Sequence, residues 1–243
     1  MLYITRIENN RPLSERISYP YDIASIRNME KFEFHNPITF IVGENGSGKS
    51  TLIESIAIKA GFNPEGGSRN FNFSTKSSHS ELFDDIKLVR SVNRFTDSYF
   101  LRAESFYNVA SELDKLYEGD ELRLKRAYGG SLHECSHGQS FLALLHNRLS
   151  GKGLYIFDEP ESALSVGSQL NMMVRMKELI EQDSQFIIAT HSPVLLAFPN
   201  ADIYKVTDRG LEKFAYEETE QFNLTKLFIN NYERILKELD LNS

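Results

Sequence analysis

The chain has 243 residues, of which 41% are hydrophobic and 25% charged, and its formal net charge is −7. This composition is typical of a globular protein with a substantial core, and the acidic balance argues against a protein coated in nucleic acid, although a local basic patch stays open. The single cysteine, Cys135, excludes an internal disulfide. The N-terminus lacks a signal-peptide pattern, and no apolar run reaches the roughly 18 residues of a membrane span. We therefore expect a cytoplasmic protein with no membrane span.

The first forty residues predict two short strands separated by a polar loop. Residues 2–7 alternate as a strand does, and residues 31–34 form a second short run of strand type. The loop between them contains Tyr19 and Tyr21, which either stack on a purine ring or pack against their own domain. Packing is the more general use of a loop aromatic, so we favour it.

A glycine-rich loop comes next and matches the pattern G-x-x-x-x-G-K-[ST]. An apolar run, Ile38–Val42, predicts a buried strand before the loop, and Lys49–Ala60 predicts a helix after it. Strand, loop and helix stand in the order that a phosphate-binding loop requires. The loop consists of Gly43, Glu44, Asn45, Gly46, Ser47, Gly48, Lys49 and Ser50.

The residue types in this loop suit a nucleoside triphosphate with its metal ion. Glycines let backbone N–H groups approach phosphate oxygens, and the helix beginning near Gly48 directs its positive end at the same anion. Lys49 is expected to reach the β- and γ-phosphates, and the Ser50 hydroxyl to bind Mg²⁺. We therefore expect ATP and Mg²⁺ as cofactors.

The middle of the chain gives weaker signals. Residues 61–80 are rich in Gly, Asn and Ser and predict a long irregular segment, and residues 81–90 predict a helix. Residues 99–103 predict a strand that leads directly into Glu104, and residues 108–126 predict a charged helix.

The second half alternates strands and helices. Residues 153–157 are an apolar strand ending in Asp158 and Glu159, and residues 185–189 are another strand ending before His191. Further along, the pattern predicts a helix over 170–180, a hairpin over 201–215 and an amphipathic helix over 224–239.

This alternation predicts an α/β fold with a mostly parallel central sheet. Parallel strands place the residues at their carboxyl ends along one edge of the sheet, so the glycine loop, Asp158, Glu159 and His191 should converge. Asp158 would then bind Mg²⁺ opposite Ser50, and Glu159 would polarise a water for attack on the γ-phosphate. His191 would contact that phosphate or the water.

Together these residues resemble the ATP-binding-cassette (ABC) ATPases over about residues 1–207. The loop is similar to Walker A, which in its longer form also includes Thr51, and residues 156–160 are similar to Walker B. Residues 162–165 resemble the D-loop, and residues 189–192 resemble the switch-histidine loop. Residues 136–139, Ser-His-Gly-Gln, resemble the signature Ser-Gly-Gly-Gln.

The resemblance implies a head-to-tail homodimer in which each signature contacts ATP held by the other copy. Ser136 and the backbone at Gly138 would be the donors, aided by a helix over 139–149, and Gln139 would support the loop. Hydrolysis would then loosen the dimer. The family usually has a Gln after the strand that comes next after Walker A, and Glu104 holds the matching position near the metal.

A competing pattern overlaps the signature, because residues 133–137 also fit the zinc motif H-E-x-x-H. That motif needs both histidines on one face of a helix. Gly138 is expected to end or disturb such a helix, so we favour the signature.

The stretch Pro160-Glu161-Ser162 resembles the soluble RecF-, SMC- and OLD-like group, whereas transporter cassettes usually have Pro-Thr-Ser there. The resemblance implies one ABC-type domain of the P-loop NTPase fold without a coiled coil. Its mostly parallel central sheet would be joined by an N-terminal antiparallel β part and a helical signature subdomain. Its core lobe would cover residues 1–62 and 141–215, the inserted signature region 63–140 and the C-terminal helix 218–241.

The function expected is an ATPase that drives or gates an unidentified effector protein, in a setting such as DNA repair or antiphage defence. Alternatives are a nucleotide-binding subunit of an ABC transporter, an ATP-dependent dimerisation scaffold with little turnover, and a small-molecule kinase.

Overall fold

The computed structural model describes residues 1–69, 80–128, 130 and 137–241. The strands in this part of the chain are β1 Ile4–Asn9, β2 Lys31–Glu33, β3 Ile38–Val42, β4 Ile86–Arg90, β5 Asp97–Arg102, β6 Gly153–Asp158, β7 Gln185–Ala189, β8 Asp202–Thr207 and β9 Gly210–Phe214. The helices are α1 Ala24–Asn28, α2 Lys49–Ala60, α3 Leu82–Asp85, α4 Phe106–Leu116, α5 Glu121–Tyr128, α6 His137–Asn147, α7 Val166–Glu181, α8 Pro193–Leu196 and α9 Glu220–Glu238.

The main sheet has the strand order β5-β6-β7-β3-β8-β9. Neighbouring strands from β5 to β8 are parallel, and only β9 runs antiparallel, as the second arm of the predicted hairpin. Every residue of β3, β6 and β7 is buried, as expected for apolar strands that helices and a second sheet cover on both faces. The α/β prediction with a mostly parallel sheet is confirmed.

A smaller antiparallel sheet, ordered β2-β1-β4, contains the first strands of the chain. Here one prediction was wrong: residues 81–90 form a single helical turn, Leu82–Asp85, and then the strand Ile86–Arg90. Residues 86–90 form a strand rather than a helix because their backbone pairs with the free edge of β1, with Ile7 opposite Leu88. This long-range partner cannot be read from a local helical pattern.

The two sheets are joined by the side-chain amide of Gln185, at the start of β7. Its oxygen accepts hydrogen bonds from the backbone N–H groups of Tyr3 and Ile4, at 2.7 and 2.9 Å, and its nitrogen donates to the Ile4 carbonyl at 2.9 Å. Gln185 is completely buried, and all of these bonds are shielded from water. They fix the small sheet against the N-terminal end of the large one.

The faces of the main sheet carry separate hydrophobic clusters. On one face, side chains such as Phe141 and Met172 cover the sheet from α4, α6 and α7. On the other face, Ile53 and Ile56 of α2 pack with the small sheet. The helix predicted over 108–126 is two helices, because the chain turns after Leu116 and Gly119 adopts a positive φ of 84°.

The C-terminal helix α9 forms as predicted but buries none of its residues. The ring of Phe222 lies 4.8 Å from that of Tyr216, whose hydroxyl donates to the Pro193 carbonyl at 2.9 Å. The helix is thus attached near its start, and it is kinked at Asn231. The division into a core lobe, a signature region and this helix stays a prediction. None of the helices in the described ranges is long and apolar enough to cross a membrane.

Candidate functional site

The ends of three central strands bring the predicted site residues together. Strand β7 lies between β6 and β3, and Asp158 at the end of β6 is opposite Ala189 at the end of β7. The glycine loop leaves β3 at the same edge, and the backbone N–H of Thr190 donates to Ile41 of that strand at 3.2 Å. The loops after β3, β6 and β7 therefore face one another.

The glycine loop is shaped by backbone that only glycine adopts easily. Gly46 and Gly48 have positive φ values of 79° and 97°. A Cβ on Gly48 would lie 3.1 Å from Ile26 of α1, so glycine is also needed for close packing. Helix α1 also makes a second contact with the loop, in which the Ser25 hydroxyl donates to the Ser47 carbonyl at 2.6 Å.

Lys49 lies inside the loop, with 5% of its surface exposed. Its ammonium donates to the carbonyls of Gly43 and Glu44, at 2.9 and 2.8 Å. Burial lowers the pKa of Lys49, and the nearby carboxylates of Glu159 and Asp158 oppose that shift. The side chain therefore holds a positive charge under the loop where a phosphate would rest.

A cleft of about 640 Å³ opens beside the loop. Residues 44–47 form one side of it, and residues 22–25 and 205–208 form the others. The last two segments carry no sequence motif, and only the fold brings them there. Tyr21 takes the packing role that we favoured: it is 1% exposed, and its hydroxyl donates to Asp85 at 2.7 Å. Tyr19 is exposed and does not line the cleft.

Ser50 and Asp158 form the pair that the sequence proposes for a metal ion. The Ser50 hydroxyl, in the first turn of α2, donates to an Asp158 carboxylate oxygen at 3.2 Å. Burial raises the pKa of Asp158 to about 6, while the charge of Arg102 opposes that rise. The next residue, Thr51, continues α2, and its carbonyl accepts from Ser55.

A hydroxyl and a carboxylate are hard oxygen ligands, so this pair fits Mg²⁺. Within the described residues, no group of three His, Cys, Asp or Glu side chains could hold a metal unaided. One hydroxyl and one carboxylate are the protein donors expected where phosphate oxygens and water complete the coordination of the metal ion.

Glu159, directly after β6, adopts a left-handed conformation with φ 50° and ψ 51°. Such a conformation is costly for a side chain with a Cβ, and it concentrates at functional sites. The backbone N–H of Glu159 donates to the Ala189 carbonyl at 2.9 Å. Its carboxylate lies 3.5 Å from Nε2 of His191, so the two candidate catalytic side chains are adjacent.

Glu161 is a residue whose structural role the sequence did not reveal. Its carboxylate accepts a hydrogen bond of 2.6 Å from the backbone N–H of His191. The histidine loop is also held by Ser192, whose hydroxyl donates to Gln169, and the Gln169 amide donates in turn to Leu164 at 3.2 Å. The turn after β6 and the loop after β7 are therefore linked by side chains.

A second cleft, of about 270 Å³, is lined by Ser50, Asp158 and Glu159 together with Arg102 and Glu104. The Glu104 side chain is 81% exposed and pairs with Arg102 at 3.2 Å. Arg102 was missed by the sequence reasoning. The signal in the sequence was its position near the end of the strand predicted over 99–103. The structure then places it directly opposite Asp158 in the sheet.

Of the signature residues, Ser136 lies outside the described residues, as do His133, Glu134 and Cys135. Helix α6 begins at His137 rather than at 139, and Gly138, which was expected to disturb a helix, lies in its first turn. A Cβ on Gly138 would lie 2.9 Å from the Ala163 carbonyl, so glycine lets α6 pack closely on the turn after β6. Gln139 is exposed on the same turn.

A strand, a glycine loop and a helix, with an acidic strand end beside them, define a phosphate-loop nucleotide-binding protein. A family model described as AAA domain matches residues 22–241. An uncharacterized ABC transporter ATP-binding protein of Haemophilus influenzae is 26% identical over 211 residues, covering 79% of this chain and 76% of that protein.

Two further matches differ in extent. The DNA replication and repair protein RecF of Francisella tularensis subsp. novicida is 30% identical over 86 residues, covering 35% of this chain but only 20% of RecF. A dimeric ATP-binding cassette in a post-hydrolysis state, bound to ADP and Pi, superposes with a TM-score of 0.52 at 17% identity, over 89% of this chain and all of that one. This last likeness shows the fold.

The chain belongs to the AAA domain family, and it is an ABC-type ATPase. It binds ATP and hydrolyses it to ADP and phosphate.

Proposed function

We propose that two copies of this chain close head to tail over two ATP molecules, hydrolyse them, and use the cycle to drive or gate a partner protein. The observation that carries the chemistry is the contact between Ser50 and Asp158, at 3.2 Å, beside Glu159 and His191. The site thus brings together the Ser50 hydroxyl, the Asp158 carboxylate, Glu159 as the candidate base and His191. They lie at the edge of the sheet where the glycine loop would hold the phosphates.

We propose a separate role in binding or hydrolysis for each of these side chains. Lys49 and the loop N–H groups hold the triphosphate, and Ser50 and Asp158 hold Mg²⁺, with Glu104 nearby in place of the family's Gln. When bound, Mg²⁺ would offset the charge on the β- and γ-phosphates. Glu159 takes a proton from the attacking water, and His191 orients Glu159 or contacts the γ-phosphate.

Contacts around the signature residues support an active site that is formed by two copies of the chain. Gly138 packs on Ala163, and Ala163 itself lines the cleft with Ser50 and Glu159. The start of α6, carrying Gly138 and Gln139, therefore packs closely against the turn after β6. We propose that Ser136, just before that helix, contacts ATP held by the second copy.

The surface next to this turn suits a second copy. Val166, Leu170 and Val174 recur every four residues on α7 and are 61%, 52% and 60% exposed. Residues at this spacing share one helix face, so they form an apolar stripe that begins directly after the turn. Closing two subunits over ATP would cover it.

The partner is proposed only by class, as a separate effector protein. The RecF relative supports a setting in DNA repair, and antiphage defence is the other setting that we propose.

Light scattering with the Glu159→Gln variant tests this function. We expect a monomer without nucleotide and a stable dimer with Mg·ATP, because the trapped γ-phosphate holds both copies. Lys49→Ala in the same background should stay monomeric. A Glu159→Gln protein that hydrolyses ATP at the normal rate, or whose mass never changes with ATP, would contradict the proposal.

A second candidate is the nucleotide-binding subunit of a transporter, which the name of the Haemophilus relative favours. Glu161 argues against it, since transporter cassettes usually have Thr at that position. Stable co-purification with a multi-span membrane protein would decide for the transporter. A third, an ATP-dependent scaffold, would show nucleotide-dependent dimerisation with negligible turnover.

A further inference from the structure

Arg102 lies among three carboxylates at the candidate metal site. Its guanidinium donates to Glu54 at 2.6 Å and to Glu104 at 3.2 Å, and its Nε lies 4.0 Å from Asp158. The three acids come from different elements: Glu54 from α2, one turn after Ser50, Asp158 from the end of β6, and Glu104 from the turn after β5.

The cluster differs from a surface ion pair in its burial. The side chains of Glu54 and Asp158 are 9% and 5% exposed, and that of Arg102 is 25% exposed, towards the 270 Å³ cleft. The Arg102 Nε is shielded from solvent and has no hydrogen-bond partner among the described residues. The charge is therefore held in place by Glu54 on one side and directed towards Asp158 on the other.

Arg102 is the one cationic side chain among the described residues that line the cleft, and the Lys49 ammonium lies near Asp158 and Glu159 from under the glycine loop. Glu104, Asp158 and Glu159 line the cleft together with Ser50, and Glu54 lies directly behind Arg102. Carboxylate oxygens beside a hydroxyl are what a divalent cation seeks. Such a cluster would attract the cation whether or not a nucleotide is present.

We propose that Arg102 is a built-in counter-charge that keeps the metal site from filling until a triphosphate arrives. This inference rests on the proposed function, which assigns Ser50 and Asp158 to the metal. The guanidinium neutralises Asp158 and repels a free divalent cation, whereas the negative charge of a triphosphate offsets that repulsion. Metal and nucleotide then bind together, and Arg102 acts as a positioning residue for both.

Binding of Mn²⁺, monitored through the electron paramagnetic resonance of the free ion, tests this without relying on hydrolysis. The wild type should bind Mn²⁺ weakly alone and more tightly with a non-hydrolysable ATP analogue. Arg102→Gln should bind Mn²⁺ without nucleotide at least roughly tenfold more tightly than the wild type, because one positive charge near the ion is gone. Arg102→Lys, which keeps the charge, should stay close to the wild type.

Arg148, which directly follows α6, offers a matched control because it pairs with the opposite end of β5 from Arg102. It pairs with buried Asp97 at 2.7 Å, and its side chain is 23% exposed, close to the value for Arg102. Arg148→Gln also removes the partner of a buried carboxylate, but far from Ser50. It should not gain nucleotide-free Mn²⁺ binding, and neither should Arg102→Gln combined with Asp158→Asn.

A folded Arg102→Gln protein that binds Mn²⁺ no more tightly than the wild type would overturn the inference. If that variant does not melt cooperatively, Arg102→Met, which keeps the aliphatic stem, replaces it. The wild type gives a check that needs no variant: equal Mn²⁺ affinity with and without the analogue also overturns the inference. No Mn²⁺ binding in either condition would instead remove the metal assignment, and so the proposed function.

Discussion

Glu161 shows how a single residue can act on the site without touching a phosphate. It lies two positions after the candidate base, and its carboxylate holds the backbone of His191 from the neighbouring strand end at 2.6 Å. The sequence predicted the candidate residues at this edge, Lys49, Ser50, Asp158, Glu159 and His191, because each belongs to a motif that comes directly after an apolar run. It did not predict Glu161 or Arg102 as contacts, because a side chain's partner across the sheet is not encoded in local spacing.

Replacing Glu161 by Ala should lower kcat by about tenfold to a hundredfold while leaving ATP affinity almost unchanged. The His191 backbone loses a charge-assisted hydrogen bond, which contributes about 1.5–3 kcal/mol, and the imidazole loses its fixed position beside Glu159. Steady-state kinetics and calorimetric ATP binding measure the two effects separately.

Glu161→Gln keeps an oxygen acceptor and should retain more activity than the Ala variant. Glu178→Ala, at a half-exposed position on α7, is the control. Equal kcat in Glu161→Ala and the wild type would show that this bond does not position His191.

At the scale of helices and strands, the bounds predicted from the sequence are confirmed where the local residue pattern alone specifies the element. Strand β3, the glycine loop and helix α2 form with the bounds expected, since apolar run, glycines and helical spacing all agree. Residues 81–90 were predicted as a helix but contain strand β4, which exists because β1 offers it an edge. The close packing of Gly138 on Ala163 is equally non-local, so a glycine read as a helix breaker lies inside a helix.

Strand β5 is held at its other end by Asp97. This buried carboxylate accepts hydrogen bonds from Arg148 at 2.7 Å, the Ser150 backbone at 2.8 Å and the Tyr155 hydroxyl at 2.8 Å. Burial alone would raise the pKa of Asp97, but the Arg148 charge and these bonds outweigh it and lower the pKa.

A lowered pKa in the folded state means that Asp97 stabilises the fold above its unfolded pKa, near 3.8, and that this contribution is lost as the pH falls through the folded value. Asp97→Asn should therefore lower the free energy of unfolding by about 3–5 kcal/mol at pH 7, where Arg148 is left without its charged partner. Urea unfolding at pH 7 and at pH 3 measures this, and the difference between wild type and variant should shrink at the lower pH. An undiminished difference at pH 3 would contradict the electrostatic explanation.

At the scale of the whole molecule, we propose that each active site is built from two chains. The fold and the Walker residues belong to one copy, and the site as proposed is incomplete without Ser136 from the other. The sequence could suggest this only through resemblance, since no property of a single chain specifies which surface of a second copy it meets. Gly138 on Ala163 ties the signature helix to the turn after β6, so a copy that donates its signature also brings its own strand end close to the interface.

Mixing two inactive variants tests this claim most directly. Lys49→Ala removes the phosphate contact, and Ser136→Arg blocks the donated signature, so each protein alone should show almost no ATPase activity. In a mixed dimer, the intact Lys49 of one chain meets the intact Ser136 of the other, and one complete site is restored. We expect ATPase activity in the mixture well above the sum of the activities of the two separate proteins. A mixture no more active than that sum, with both variants folded, would contradict it.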